Sequence, residues 1–236
     1  MNADWRVLLD HPRVLAVDKA AGITVIPARD EDPGRALRQR LESELRAPLW
    51  VVHRIDRDTS GVVVFARDAD AHRELNHAFE HALVRKTYLA WTAGIPQPPA
   101  GFIDVPLHPA RKGKMRPALP GEVDAKDART DYVVEARRAL GDLTVARVRC
   151  HPRSGRQHQI RVHLRSLGCP ILRDPLYGMN TLRAPWAELP VPRLALHAQQ
   201  LQLPDLFGAD GLEIVAPLPA DLAEIDVWVG CQLVSL

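Results

Sequence analysis

The chain is short of cysteine, short of lysine and without a long apolar run, and each shortage excludes a class of protein. Its only cysteines are Cys150, Cys169 and Cys231 in 236 residues. They form no CxxC pair and share no ligand-like spacing with histidine, which argues against a structural zinc and against a disulfide framework. No apolar stretch approaches the about 18 residues that a membrane span needs. The start, Met1-Asn2-Ala3-Asp4-Trp5-Arg6, lacks the apolar centre of a signal peptide. The expectation is a cytoplasmic protein with no membrane partner. Internal repeats and low-complexity tracts are absent too. Lysine occurs only at Lys19, Lys86, Lys112, Lys114 and Lys126, so most basic charge is arginine. A GC-rich genome produces the same bias as phosphate binding, so the arginine count alone decides nothing.

Bulk composition, with 46% apolar and 25% charged residues, is that of an ordinary globular protein. The length allows one large domain or two small ones. A net charge of +2 is uninformative, but its distribution is not. Residues Leu143 to Arg173 hold seven arginines and three histidines (His151, His158, His163) and no Asp or Glu. From Pro204 onward the sign reverses: Asp205, Asp210, Glu213, Asp221, Glu224 and Asp226 occur with no Lys or Arg. The centre of the basic stretch is Arg153-Ser154-Gly155-Arg156-Gln157-His158-Gln159-Ile160-Arg161-Val162-His163-Leu164-Arg165. A long run of one sign suggests an anionic partner. Arginine suits phosphate, because its planar fork binds two oxygens at once. Gly155 and the Gln and His side chains add hydrogen-bonding capacity beyond what a merely solvated helix face needs.

The apolar pattern predicts strands at Val14–Val17, Thr24–Ile26, Tyr88–Thr92, Tyr132–Ala136, Leu143–Arg149, Leu194–Leu203 and Leu212–Ala216. Helices are predicted at Ala36–Arg46, after Pro33 in a first turn, and at Asp70–Val84, with Leu75, Ala78, Phe79 and Ala82 on one face. Pro96–Gly121, rich in Pro, Gly and basic residues, reads as a long mobile loop. Strands and helices mix without strict βαβ alternation. The expected fold class is therefore α+β, with a central mixed, largely antiparallel sheet flanked by helices and loops.

The sharpest motif is His53-Arg54-Ile55-Asp56-Arg57-Asp58-Thr59-Ser60-Gly61. It lies between the apolar runs Trp50–Val52 and Val62–Phe65, where a scaffold presents reactive groups. Asp56 stands between two arginines, whose charge favours an ionised carboxylate that can act as nucleophile or base. An Asp-Arg salt bridge in a connecting loop is the competing reading. Asp56-Arg57-Asp58 also echoes the paired aspartates of magnesium-dependent phosphatases of the haloacid dehalogenase type. There, however, a continuous apolar strand precedes the first Asp, and here His53 and Arg54 do. His77 and His81 share a helix face near His72 but lack an acidic third ligand, so a solvated face is the better reading and no metal is expected. Tyr88, in Lys86-Thr87-Tyr88-Leu89-Ala90, is either a core tyrosine or a stacking surface for a base.

Together these segments resemble the RluA-type pseudouridine synthases. The similar stretches are Asp18-Lys19-Ala20-Ala21-Gly22, His53–Gly61, Lys86–Ala90, Arg153–Leu164, Asp174-Pro175-Leu176-Tyr177-Gly178 and Leu196-His197-Ala198, in the family's order across most of the chain. Ala20 replaces a usual proline, and Arg173 a usual glycine; both lie outside the proposed chemistry. The resemblance implies an isomerase that turns uridine in RNA into pseudouridine without metal or organic cofactor. It implies Asp56 as the catalytic residue, Tyr88 as the active-site tyrosine and Arg161 as the partner of the catalytic carboxylate. Arg54 is implied to help flip the target nucleotide and Ile160 to line the base site. Arg156, His158, Arg111 and Lys112 are the expected RNA contacts, with Lys114 and Arg116 beside them. Base flipping costs a few kcal/mol, which phosphate contacts and aromatic stacking offset. The expected organisation is a single catalytic domain over 1–236 with no N-terminal S4 domain. The expected state is a monomer and the expected partner a tRNA or rRNA stem-loop. The alternatives are an idle RNA-binding module of the same fold and a magnesium phosphatase using Asp56 and Asp58.

Overall fold

A computed structural model describes residues 4–28, 31–206 and 211–230. Met1–Ala3, Asp210 and Cys231, which entered the reading above, lie outside them. The chain forms two compact units. One comprises Met1–Lys86 and Ala198–Pro217, the other Thr87–His197 and Leu218–Leu236.

In the first unit, β1 (Trp5–Asp10), β2 (Val14–Lys19), β4 (Ser60–Ala66) and β11 (Leu196–Gln202) are neighbours in that order. β3 (Trp50–Val51) pairs with β4 and β12 (Glu213–Val215) with β11. The β1–β2, β2–β4, β3–β4 and β11–β12 pairs are antiparallel. Every residue of β4 is buried, as expected of a short, continuously apolar strand covered on both faces. Helix α1 (Leu37–Leu45) follows a 3-10 turn at Pro33–Arg35 that Asp32 caps. Helix α2 (Ala69–Glu80) starts at the N-cap Asp68, whose carboxylate accepts from Ala71 N–H, and buries Ala71, Leu75 and Ala78. These meet Val14, Ala16, Val62, Val64, Leu201 and Ile214 in one core.

The predicted Thr24–Ile26 strand is absent. Thr24 and Val25 carbonyls instead accept from Leu37 and Arg38 N–H, so they satisfy the orphan donors that open a helix rather than a neighbouring strand. Helix α2 stops four residues before the predicted Val84. Ala82 turns left-handed at φ 55°, and Leu83 N–H returns to the Ala78 carbonyl, a Schellman ending with alanine where glycine is usual.

In the second unit the strand order is β5 (Arg85–Ala93), β10 (Leu143–Pro152), β9 (Arg129–Leu140), β6 (Ala100–Asp104), each pair antiparallel. Helix α4 (Ala220–Gly230) packs Leu222, Ile225 and Val229 into the core of Leu89, Trp91, Val134, Val145 and Val148. The predicted loop at Pro96–Gly121 is instead structured. It holds β6 and the hairpin of β7 (Leu107–Pro109) with β8 (Met115–Pro117). Ile103, Leu107 and Met115 are its buried anchors; two of its prolines, Pro109 and Pro117, lie at the ends of the two hairpin strands. Helix α3 (Gln159–Ser166) carries the end of the basic run. The four helices among the described residues and these largely antiparallel strands fit the expected α+β class.

Candidate active site

In the first unit the His53–Gly61 loop joins β3 to β4. Buried and exposed residues alternate along its start, with Ile55 buried, Arg54 exposed and Asp56 half-buried. His53 Nε2 accepts the Val64 N–H at 2.9 Å, and its ring stacks on Phe79 at 4.7 Å. Burial, helped by the Lys86 charge, pushes its pKa down to about 3, so His53 is a neutral strut rather than an acid. Asp56 opens a turn closed by Thr59 N–H on its carbonyl at 3.2 Å. Lys19 holds that turn from below. Fully buried, its ammonium donates to the carbonyls of Ala20 (2.8 Å), Ile23 (2.8 Å) and Arg57 (3.0 Å). Arg57 Nε donates to the Gly22 carbonyl at 3.0 Å, and Gly22 N–H to the Arg57 carbonyl at 2.8 Å. One of the two arginines flanking Asp56 is thus tied to the Asp18–Gly22 segment. Gly61 ends the loop at φ +119°, and a Cβ there would lie 2.1 Å from the Ala198 carbonyl oxygen. No side chain fits, which explains the glycine after Thr59-Ser60.

The second unit carries Tyr88, Ile160 and Arg161. Tyr88 is half-buried in β5, opposite Cys150 of β10. Ile160 and Arg161 are buried in the first turn of α3. Arg161 forms a two-pronged pair with the fully buried Asp174, Nε to Oδ2 and Nη2 to Oδ1, both 2.8 Å. Asp174 Oδ1 also accepts the N–H groups of Leu176 (2.8 Å) and Tyr177 (3.0 Å), and the Tyr177 ring centroid lies 5.2 Å from the Arg161 guanidinium carbon. Gly178 closes this turn, where a Cβ would lie 2.6 Å from the Ile171 carbonyl oxygen. The similarity of Asp174–Gly178 to the family was visible in sequence. Its role as the seat of Arg161 was not, because the partners are 13 residues apart with no shared periodicity.

Two buried polar side chains of the basic run, Gln159 and His163, are spent inside the unit. The buried Gln159 donates to the Arg129 carbonyl (2.9 Å) and to Thr130 Oγ1 (3.0 Å), and accepts from Ser154 Oγ (2.6 Å) and Arg156 N–H (3.1 Å). His163 lies between Thr130 Oγ1 (2.9 Å) and the Val105 carbonyl (3.0 Å), and burial lowers its pKa. The expectation that these donors serve an external partner is therefore corrected: they lock α3 to β9, because buried polar groups need internal partners. Most of the arginines are also committed. Arg147 pairs with Glu135 and Asp226, Arg149 with Glu135, and Arg153 with Asp131. Arg173 donates to the Val191 and Ala187 carbonyls.

Arg156 is exposed, with Nε on the Asp127 carbonyl. His158 takes a left-handed conformation before α3, and its Nδ1 is 2.8 Å from Tyr177 Oη. That oxygen also accepts the Met115 N–H at 2.8 Å. Gln157 Nε2 reaches the Gly113 carbonyl at 3.3 Å. The start of α3 and the turn bearing Arg111 and Lys112 are thereby one assembly, with both basic side chains exposed. Arg116 is not part of that basic surface, since Glu122 holds it in a two-pronged pair that keeps the Glu122 pKa at about 2. His77 and His81 stack on each other at 4.0 Å. Among the described residues no group of three or more His, Cys, Asp or Glu side chains gathers as a metal site.

The family model described as RNA pseudouridylate synthase matches residues 13–166, a span that includes Asp56, Tyr88 and Arg161. The dual-specificity RNA pseudouridine synthase RluA of Escherichia coli (strain K12) is 36% identical over 220 residues, covering 92% of this chain and 94% of that protein. The ribosomal large subunit pseudouridine synthase D of Nitrosomonas europaea is 33% identical over 93% of this chain, which spans 64% of that longer relative. Among solved structures, human RNA pseudouridylate synthase domain containing 4 is similar with a TM-score of 0.71 and 29% identity, over 93% of this chain and 92% of that one. With a family model matched over more than half its length, and a relative of its own size above 30% identity, the chain belongs to the RNA pseudouridylate synthases, in their RluA-type branch.

Proposed function

We propose that this chain isomerises specific uridines of a tRNA loop, a ribosomal RNA hairpin or both to pseudouridine, with Asp56 as the catalytic residue. The observation that carries the reading is the construction of the Asp56 turn. A buried ammonium, a neutral imidazole and a glycine that admits no side chain fix the backbone, while Asp56 as a residue is half-buried. Preorganisation of that kind is what a reacting carboxylate needs. In the proposed reaction the N1–C1′ bond breaks and Asp56 acts at the ribose. The base then turns, C5 bonds to C1′, and C5 gives up its proton as N1 gains one. Either a ribosyl ester or a glycal route returns the carboxylate unchanged, so no external reactant is consumed. Arg54, exposed on the same loop, takes the place of the flipped nucleotide. Tyr88 stacks on the base and assists at C5, Ile160 lines its site, and Arg161 orients the carboxylate. Arg156, His158, Arg111 and Lys112 contact the RNA.

Neither the idle binding module nor the phosphatase is favoured by the family match. The proposed setting is a cytoplasmic monomer that works without a cofactor. None of the described helices is long and apolar enough to cross a membrane. The test is pseudouridine mapping by carbodiimide modification and reverse transcription, comparing host RNA from the parent strain with RNA from an Asp56→Ala strain. Loss of specific sites, with in vitro turnover down about 10⁴-fold or more and RNA binding kept, is the expected result. A map with no site changed would return Asp56 to a structural role.

A further inference from the structure

We propose that Asp174 is a positioning residue for the isomerisation, acting through Arg161. The proposal rests on the reading that Arg161 orients the reacting carboxylate. A planar guanidinium gripped at Nε and Nη2 has no torsional freedom left, so the direction of its remaining nitrogen is set by Asp174. The grip is itself rigid. Asp174 is fully buried, and its Oδ1 also accepts the backbone N–H groups of Leu176 and Tyr177. The carboxylate therefore cannot swing without breaking the 174–178 turn. That turn is held in its own right. Gly178 N–H donates to the Asp174 carbonyl at 3.0 Å, Arg173 N–H reaches Thr181 Oγ1 at 2.9 Å, and Tyr177 Oη accepts Met115 N–H from the hairpin. Charge balance for a buried arginine requires one carboxylate anywhere beside it. Bidentate contact, two further backbone donors and the Tyr177 ring against the guanidinium exceed that requirement. They are the features of a support that fixes geometry.

The test measures single-turnover isomerisation and RNA dissociation constants for the parent chain, Asp174→Asn, Asp174→Glu, Arg161→Gln and the double variant Asp174→Asn/Arg161→Gln, at a temperature where circular dichroism finds each folded. Asp174→Asn keeps an oxygen for Leu176 and Tyr177 N–H but turns an amide NH₂ toward the guanidinium. Asp174→Glu keeps the buried charge balanced and displaces the guanidinium by one methylene, so it serves where the asparagine variant does not fold. Either is expected to slow the chemical step about 100-fold, the usual penalty of a displacement near 1 Å, with RNA affinity within threefold of the parent. In the Arg161→Gln background the asparagine change should cost nothing further, because it acts through that side chain. A parent-like rate in Asp174→Asn or Asp174→Glu, or a loss that multiplies on Arg161→Gln, would overturn the proposal. A parent chain that forms no pseudouridine in any RNA would instead overturn the functional reading beneath it.

Discussion

At the residue scale, the loop that carries Asp56 depends on side chains spent on backbone groups, Lys19 on carbonyls and His53 on an N–H. His53 makes this measurable. Its pKa falls from 6.5 to about 3 in the folded chain, through burial first and the Lys86 charge second. Above pH 6.5 both the folded and the unfolded forms are neutral, and the group has no effect on stability. Between pH 6.5 and about 3 the unfolded chain binds a proton that the folded chain refuses. Stability therefore falls as the pH falls through that window, by up to about 1.4 kcal/mol per pH unit. His53→Gln retains an acceptor for Val64 N–H and removes the titration. Urea unfolding at pH 4, 5, 6 and 8 should give a flatter acid limb for this variant, together with lower stability at pH 8 from loss of the Phe79 stack. Identical slopes for variant and parent would refute the assignment. Asp56, Arg54 and Arg161 could be nominated from the sequence because each stands at a matching position in a motif that resembles the family's. The carbonyl cage of Lys19 was not legible. Its ligands are main-chain oxygens that any sequence supplies, and one of them lies 38 residues away.

At the element scale, short apolar runs located β2, β5, β9 and β10, helix-forming composition after Pro33 located α1, and a one-face apolar pattern located α2. Such patterns failed where hydrogen bonding outside a ladder decided the conformation. Thr24–Ile26 has the composition of a strand, yet its carbonyls open α1. Residues 96–121 have the composition of a loop, yet Ile103, Leu107 and Met115 pin β6 and a hairpin in place. The hairpin also divides its basic residues into two kinds that the sequence could not separate. Arg111 and Lys112 project from a turn that is tied through Gln157 to the start of α3, whereas Arg116 is clamped by Glu122. Replacing both Arg111 and Lys112 by alanine should weaken RNA binding and reduce the slope of log K against log salt by up to about two. Arg116→Ala should leave affinity and slope unchanged while loosening the 116–122 turn. Filter binding over a series of salt concentrations reads both quantities. An equal effect of the two changes would mean that the Glu122 clamp opens for RNA.

At the scale of the whole molecule, the charge asymmetry of the sequence is largely an internal matter. The stretch from Leu143 to Arg173 contains no acid, but folding brings acids to it from outside: Asp131 and Glu135 from β9, and Asp226 from α4. Arg193 likewise pairs with Asp221 of α4. The acidic end of the chain thus neutralises part of its basic middle, which sign counting along a sequence reads as two separate features. Nor does composition announce the division into two units, since residues 198–217 return to the first without any linker-like segment. The distinction between an RNA-binding surface and an internal ion-pair network is open to one substitution. Asp226 accepts from Arg147 Nη1 at 2.6 Å, with both side chains about four-fifths buried. Asp226→Ala removes a hydrogen-bonded charge from a mostly buried guanidinium, so unfolding free energy should drop by about 1–3 kcal/mol. RNA affinity and its salt dependence should not change, because Arg147 remains paired with Glu135 and is spent on holding β9 and β10 together. If the basic stretch acted as one continuous phosphate-binding face, releasing Arg147 from its carboxylate would add a cation to that face. Binding would then tighten and its salt slope would steepen. Urea titration on this variant therefore reports the loss of the pair, and salt-dependent RNA binding on the same variant separates the two accounts.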